Sequence, residues 1–329
     1  MKVMLSIILI ISFNLLFIIS CKDDENLTPG NINYRQEMRN FVTEISKYAK
    51  NKNSEFNIIP QNGQELVTTT GEPEDEPILE YLDVIDAAGR EDIYYGYVED
   101  NFETPEDDKN YLIDLCNIFA ENNVEILAID YCSTHSKMDN SYKLNEQNGF
   151  ISFAADNREL NNIPAYPEKP YNENSNDITK ISQAKNFLYL INTENYSAKQ
   201  DFISAVNETN YDLLLMDLFH NEISFTADEI NRLKIKQNGG KRLVICYMSI
   251  GEAEDYRFYW QSNWNSNKLE WLDKENPSWK GNYKVKYWNS DWKNIIYGKQ
   301  NSYLDLILSA EFDGVYLDII DAYEYYEEL

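Results

Sequence analysis

The sequence predicts an α/β fold, specifically a (β/α)8 TIM barrel, from three observations. Eight short apolar runs succeed one another between residues 56 and 318, and several are separated by segments with helical periodicity. Many of these runs are apolar at nearly every position, as in strands buried on both faces of a parallel sheet. Most end in a polar or acidic residue, the strand end at which barrels of this kind carry functional groups.

The predicted strands, in chain order, are 56–60, 83–86, 124–129, 150–154, 187–191, 211–216, 242–248 and 312–317. Apolar residues at helical spacing predict helices over 37–50 and 109–122. A further helix is predicted over 226–237, because Thr226 and Glu229 have the spacing of a capping box. The proline-rich stretch 164–177 separates the first four strands from the last four and is either a linker or a surface connection.

Composition bounds the possible partners. The 329 residues are 43% hydrophobic and 14% aromatic, which supplies a full core and excludes wholesale disorder. The net charge of −27 repels phosphate backbones, so no nucleic-acid partner is expected. This charge suits a cationic ligand, but it is equally explained as an aid to solubility.

The metal-ligating residue types are scarce. The chain has four cysteines without a CxxC pair and two histidines, so neither a disulfide scaffold nor a histidine-based zinc site is expected. We expect no cofactor and no metal, and a metal-dependent hydrolase is disfavoured. Any acid–base chemistry would use Asp and Glu.

The N-terminus predicts export. Residues 1–21 hold one Lys and then an apolar run, as in a signal peptide, and they end in Ile-Ile-Ser-Cys, which resembles a bacterial lipobox. We expect a lipidated Cys21, a flexible tether over 22–36 and attachment to the outer membrane, on the cell surface, through the lipid alone. The acidic residues that follow Cys21 resemble a surface-export tag. An ordinary signal or an uncleaved anchor is the alternative.

Polar clusters at five strand ends are candidates for chemistry: 61–63, 89–92, 130–131, 251–257 and 318–323. Cleavage of a glycosidic bond requires two carboxyl groups, one as proton donor and one as nucleophile or base. Carboxylates from separate strands provide such a pair, and neighbouring tyrosines can stack on sugars. Each single residue also has a structural explanation, since a strand-end Asp often caps the next helix.

Two specific motifs lie in the second half of the chain, Gly-Glu-Ala-Glu at 251–254 and Asp-Gly-Val-Tyr-Leu-Asp at 313–318. At these motifs the chain resembles glycoside hydrolase family 114, the endo-α-1,4-polygalactosaminidase family, and the resemblance covers residues 180–329. Motifs near 38–42, 60–63 and 89–92 look like the second half of the family's barrel placed first. The sequence therefore suggests a circular permutation, with halves 38–156 and 180–329 forming one domain over 37–329. A fragment of a longer tandem protein is the alternative.

The resemblance implies Asp318 as nucleophile and Glu91 as acid/base, with a retaining outcome favoured. It implies a polymer of α-linked amino sugar as substrate. The expected substrate-binding residues are Asp217, Glu252, Glu254, Tyr256, Arg257, Asp130, Tyr131, Gln61, Asn62 and Tyr323. A monomeric, surface-anchored glycosidase is one hypothesis, and a carbohydrate-binding lipoprotein without catalysis on the same barrel is the other.

Overall fold

A computed structural model describes residues 32–264, 266 and 269–329. Within it, Tyr34–Leu329 form one compact unit. The predicted signal segment and Cys21 lie outside the described residues. No helix of the described part has the length and apolar character needed to cross a membrane.

Nine α-helices are described within these residues. Their bounds are α1 Tyr34–Lys52, α2 Leu79–Leu82, α3 Glu106–Glu121, α4 His135–Gln147, α5 Lys199–Asn207, α6 Ala227–Leu233, α7 Ser290–Ile296, α8 Tyr303–Ser309 and α9 Ala322–Glu327. The predicted helices correspond to α1, α3 and α6. The capping box at α6 is confirmed: the Thr226 side chain accepts from the Glu229 backbone N, and the Glu229 side chain accepts from the Thr226 backbone N.

The strands of the same part form parallel sheets and small antiparallel ribbons. Their bounds are β1 Asn57–Pro60, β2 Ala87–Glu91, β3 Glu125–Tyr131, β4 Ile151–Ala155, β5 Phe187–Tyr189, β6 Leu213–Met216, β7 Phe219–His220, β8 Ile223–Ser224, β9 Leu243–Ser249, β10 Glu252–Glu254, β11 Leu272–Glu275, β12 Asn282–Val285 and β13 Gly314–Asp318. The α/β class with parallel sheets is therefore confirmed.

Two parallel sheets carry the eight core strands. One has the order β1-β13-β9-β6-β5, and the other has the order β2-β3-β4. Their nearly continuous apolar runs are buried, as expected when helices cover the sheets. Strands β1 and β13 are parallel neighbours with Pro60 opposite Leu317, so the chain segments near residues 60 and 318 end side by side.

Residues just past β1 connect the two sheets. Gln61 forms a parallel bridge with Gly89 of β2. The backbone N of Asn62 donates to the Gly89 carbonyl at 2.9 Å. The order β13, β1, β2 therefore places the ends of β13 and β2 on either side of β1.

The second strand lies later than predicted. The apolar residues of 83–86 end the turn after α2, and the strand is Ala87–Glu91. The third residue of the strand is glycine because a Cβ on Gly89 would overlap the buried hydroxyl of Tyr316. The Asp86 carboxylate instead accepts the backbone N–H of Ile58 at 2.8 Å. Packing against β13 thus overrides the intrinsic preference of strands for branched residues.

Candidate active site

A cavity of about 1080 Å³ opens at the C-terminal ends of the parallel strands. Ten of the twelve predicted catalytic and substrate-binding residues line it: Asp318, Glu91, Asp217, Glu252, Glu254, Tyr256, Arg257, Tyr131, Gln61 and Asn62. Asp130 and Tyr323 are not part of the lining. The cavity is large enough for several sugar rings, and its position is the one where barrel-type α/β proteins hold substrates.

Asp318 ends β13 and lies partly buried in the cavity wall. Tyr247, on the neighbouring strand β9, donates its hydroxyl to Oδ2 of Asp318 at 2.6 Å. Burial raises the pKa of Asp318 to about 7, the Tyr247 hydrogen bond opposes this rise, and the charge of Glu91 adds to it. The carboxyl of Asp318 therefore changes from the protonated to the ionised form near neutral pH.

Glu91 ends β2, on the other side of β1. Tyr131 of the neighbouring strand β3 donates a short hydrogen bond to Oε1 of Glu91. Asn62 donates through Nδ2 to Oε2 of Glu91 at 2.9 Å, and its Oδ1 accepts the Glu91 backbone N–H at 3.2 Å. Asn62 makes both contacts from a left-handed conformation, φ 61°, which Asn tolerates better than most residues.

Arg158 belongs to the same environment, and sequence reasoning missed it. It lines the cavity in the loop after β4, and its guanidinium lies 4.1 Å from the centre of the Tyr131 ring. Its Nη2 lies 3.0 Å from Oδ1 of Asp92. Burial raises the pKa of Asp92 to about 7, while the Arg158 charge lowers it. No sequence motif marks Arg158, which lies in the irregular segment directly after β4, the neighbour of β3.

Two further carboxylates of the cavity wall are paired with one arginine, Arg257. Nη1 of Arg257 lies 2.6 Å from Oδ2 of Asp217, and Nε lies 2.6 Å from Oε2 of Glu254. The hydroxyl of Tyr256 donates to Oε1 of Glu254 at 2.5 Å. Burial raises the pKa of Asp217, and the charge of Arg257 opposes it. Glu254 of the Gly-Glu-Ala-Glu motif thus belongs to a cavity wall in which Arg257 forms ion pairs with two carboxylates.

Glu252, the first glutamate of this motif, contacts residues of β12 and of the loop before it. Its Oε1 lies 2.8 Å from Nζ of Lys284 and accepts from Nδ2 of Asn276 at 2.8 Å. Nδ2 of Asn282 donates to Oε2 at 3.3 Å. Glu252 therefore ties the antiparallel ribbon β10–β12–β11 to the cavity.

Asp130 points away from the cavity, toward α4. Its carboxylate accepts the backbone N–H groups of Tyr94 and Tyr95 and the side chains of Ser141 and Asn145. Side chains alternate along a strand, so the orientation of Tyr131 toward Glu91 turns Asp130 to the other face. The predicted pair Asp130 and Tyr131 therefore supplies only one residue to the cavity.

Tyr323 is also turned away from the cavity. It lies in α9, fully buried, with the Arg35 guanidinium 4.8 Å from its ring centre. Its hydroxyl reaches Oε2 of Glu65 at 3.4 Å. Asp321, two residues earlier, lines the cavity instead, and burial raises its pKa to about 6.

Further cavity residues were not predicted. Tyr189 donates its hydroxyl to Oε1 of Gln61 at 3.1 Å, and Trp279 and Phe258 lie at the rim. Tyr247 lies in the predicted strand 242–248, and its inward position follows from its register opposite Tyr316. That pairing of strands is not visible in the sequence. Among the described residues, no group of three Asp, Glu, His or Cys side chains is arranged to hold a metal.

The model of glycoside-hydrolase family GH114 matches residues 167–329. This match supports the predicted class, a glycoside hydrolase, and it includes β9, β10 and β13 with Asp318. Glu91 and Tyr131 lie outside the matched segment.

Three curated relatives, each similar to part of the chain, are uncharacterized proteins. One from Methanocaldococcus jannaschii is 40% identical over 184 residues, which is 54% of this chain and 49% of that protein. One from Thermotoga maritima is 47% identical over 96 residues, 29% of this chain and 28% of that protein. One from Deinococcus radiodurans is 36% identical over 126 residues, 38% of each. The chain spans half or less of the length of these relatives.

A solved structure is also similar over part of the chain. The crystal structure of Aspergillus fumigatus Ega3 in complex with galactosamine covers 35% of this chain and 39% of its own, with 24% identity and a TM-score of 0.27.

Proposed function

We propose that the protein is a glycoside hydrolase that cleaves an α-linked polysaccharide containing galactosamine. The observation that carries this proposal is the pair Asp318 and Glu91, on strands either side of β1, each bound to a tyrosine of the adjacent strand. Strand ends two places apart lie about 10 Å apart at the backbone, and side chains reaching inward narrow that gap to the range used for glycoside cleavage.

The roles of the two carboxylates are proposed from the family resemblance. As nucleophile, Asp318 attacks the anomeric carbon while Glu91 protonates the departing glycosidic oxygen. In the second step the ionised Glu91 takes a proton from a water molecule as that water attacks the anomeric carbon and breaks the glycosyl–Asp318 bond. This step restores the protonated Glu91 and the free Asp318 carboxylate. Tyr247 and Tyr131 keep the two carboxylates oriented, so little reorganisation is needed during the reaction.

The charge of the cavity favours an amino-sugar substrate. Its lining includes ten Asp and Glu side chains and three Arg and Lys side chains. Free amino groups of galactosamine are protonated near neutral pH, and a cavity with excess negative charge concentrates such a chain. N-acetylation removes that charge, so we propose that a partly or fully deacetylated polymer is the better substrate.

Release of reducing ends from partially deacetylated α-galactosaminan tests the activity. We expect turnover on this polymer and little on its fully acetylated form. Binding of the polymer without release of reducing ends would overturn the enzymatic proposal and favour the alternative, a carbohydrate-binding lipoprotein.

We also propose that the two parallel sheets belong to one permuted (β/α)8 barrel that forms a single domain over 37–329. The bridge between Gln61 and Gly89 supports one junction, and the 5.7 Å distance between the ring centres of Phe153 and Phe187 supports the other. Helices α1 and α9 are adjacent, with Nε of Arg35 3.1 Å from Oε1 of Glu327.

The adjacency of α1 and α9 permits a direct test of the permutation. A chain in which a short linker joins residue 329 to residue 34, and which is opened within 164–177, would restore the proposed family order. We expect it to fold and to cleave the polymer like the natural order, because every strand keeps its neighbours. Loss of cooperative unfolding in this variant would contradict the barrel.

The anchoring of the protein is proposed from the lipobox-like sequence that ends at Cys21. A lipid on Cys21 would hold a monomeric enzyme at the outer membrane, exposed on the surface where polysaccharide is met. Cys21→Ser should move the protein from the membrane fraction to the soluble fraction. Retention of Cys21→Ser in the membrane fraction would refute the lipid anchor.

A further inference from the structure

Trp279 differs from every other tryptophan of the chain. The protein has six tryptophans, and the other five are in ring contact with neighbouring aromatic side chains: Trp260, Trp264, Trp271, Trp288 and Trp292. Trp279 has no aromatic partner among the described residues, and its exposed fraction is 64%. An indole left in water at a cavity rim is typical of a binding surface.

The loop that carries Trp279 is well fixed. It connects β11 to β12, and the Asn282 backbone N donates to the Trp279 carbonyl at 3.0 Å. Asn276, at the start of the loop, donates from its side chain to the buried Glu252 at 2.8 Å. Gly281, φ 90°, donates its N–H to Oε1 of Glu275 at 2.8 Å. The indole is therefore presented to the cavity by an ordered backbone, at low entropic cost to a ligand.

We propose that Trp279 is a stacking platform for one sugar ring of the polymer, in a subsite separate from the cleavage point. The inference rests on the proposed function. Trp279 lies at the exposed rim of the cavity, whereas Asp318 and Glu91 are partly buried within it. The axial 4-hydroxyl of a galactose-type ring leaves one face rich in C–H groups, and such a face packs against an indole. A ring held there is not the ring being cleaved, so the platform favours longer chains.

The chain-length dependence of cleavage tests this inference. Trp279→Ala should raise KM about tenfold on a long α-galactosaminan, as expected for one lost stacking contact. It should leave kcat/KM unchanged on the shortest oligomer that is cleaved, because that oligomer does not reach the rim. Trp279→Phe should restore most of the affinity. Phe102→Ala is the matched control, because Phe102 is 55% exposed and does not line the cavity.

Measurements of polymer affinity distinguish a failure of this inference from a failure of the proposed cleavage activity. Titration of the long polymer into Glu91→Gln and into Glu91→Gln/Trp279→Ala measures affinity without turnover. A tenfold weaker affinity in the double variant supports the platform even if the natural chain proves unable to cleave. Equal affinities, or equal losses on short and long chains, overturn the platform while leaving cleavage by Asp318 and Glu91 intact. Absence of both binding and cleavage by the unmodified protein would overturn both.

Discussion

The hydroxyl of Tyr247 donates a hydrogen bond to the Asp318 carboxylate over 2.6 Å, from the strand adjacent to β13. Tyr131 has the same relationship to Glu91 across β2 and β3. Each member of the proposed pair thus has its own donor on a neighbouring strand, and the two arrangements lie on opposite sides of β1. This similarity supports Asp318 and Glu91 as the reacting carboxylates. Asp217 and Glu254 are less suited to react, because each would first have to break its salt bridge to Arg257.

Amide substitution of the pair should abolish catalysis. Asp318→Asn and Glu91→Gln keep the shape of each side chain but remove its charge and its capacity for proton transfer. We expect kcat on α-galactosaminan to fall by roughly two to four orders of magnitude in each variant. Asp139→Asn is the matched control, since Asp139 accepts the Tyr166 hydroxyl at 2.6 Å outside the cavity. Near-normal turnover in both site variants would redirect the assignment to Glu252 and Glu254.

The dependence of kcat/KM on pH assigns the roles within the pair. Asp318 has a pKa of about 7, raised by burial. A nucleophile reacts as the carboxylate, so the rate should rise as pH increases through about 7. A rate that falls through the same range would instead assign the proton-donor role to Asp318.

Tyr247→Phe provides the control for this pH profile. The Tyr247 hydrogen bond favours the ionised form of Asp318 and lowers its pKa. Its removal should shift the limb near pH 7 to higher pH. Tyr166→Phe, which removes a hydrogen bond to Asp139 outside the cavity, should leave the profile unchanged. An unmoved limb in Tyr247→Phe would show that Asp318 does not produce it.

Stability should decline as pH rises from about 4 to about 7. Burial raises the pKa values of Asp92, Asp318 and Glu324 to about 7 and of Asp321 to about 6. In this window the folded protein binds more protons than the unfolded chain, so the free energy of unfolding falls with pH. Urea unfolding at pH 5 and pH 8 measures the change. Asp318→Asn should be more stable than the natural protein at pH 8 and closer to it at pH 5, and the opposite pattern would contradict these pKa directions.

Prediction from sequence succeeded where the residues of a single strand are sufficient to identify it. The apolar runs located seven of the eight core strands, and the acidic residues at their ends identified most of the cavity lining. Prediction failed where contacts with a neighbouring strand determine which residue is required or which side chain faces the cavity. The glycine at position 89 is explained only by its contact with Tyr316, and the choice between Asp130 and Tyr131 depends on which face of β3 meets the cavity. Arg158 and Trp279 come from loops, whose positions no periodicity records.

Asp130 should prove structural. Asp130→Ala removes the acceptor of four hydrogen bonds, from two backbone N–H groups and from Ser141 and Asn145. We expect the free energy of unfolding to fall by about 3 kcal/mol, because buried donors lose their partner. The kcat/KM of the folded fraction should stay near that of the natural protein at low temperature. A large loss of kcat/KM with unchanged urea unfolding would return Asp130 to the active site.

Gly251 should be required for the shape of the site rather than for flexibility. Its φ lies outside the left-handed region, yet a Cβ there would overlap the Ile319 carbonyl and crowd Ala322. Ile319 follows Asp318 directly and has φ 59°, a conformation that a β-branched residue adopts only under constraint from its surroundings. Gly251→Ala must therefore displace the turn that positions Asp318, and we expect kcat to fall at least tenfold in addition to a loss of stability.

Gly149→Ala is the control that isolates this steric effect. Gly149 has φ 77°, and a Cβ there would meet no atom within 4 Å. The alanine should cost about 1 kcal/mol in backbone strain without any change in kcat. Because both variants lose stability and only Gly251→Ala crowds Ile319, a difference in kcat between them measures the coupling of the turn to Asp318. Equal kcat values would mean that the turn absorbs the added methyl group without moving the carboxylate.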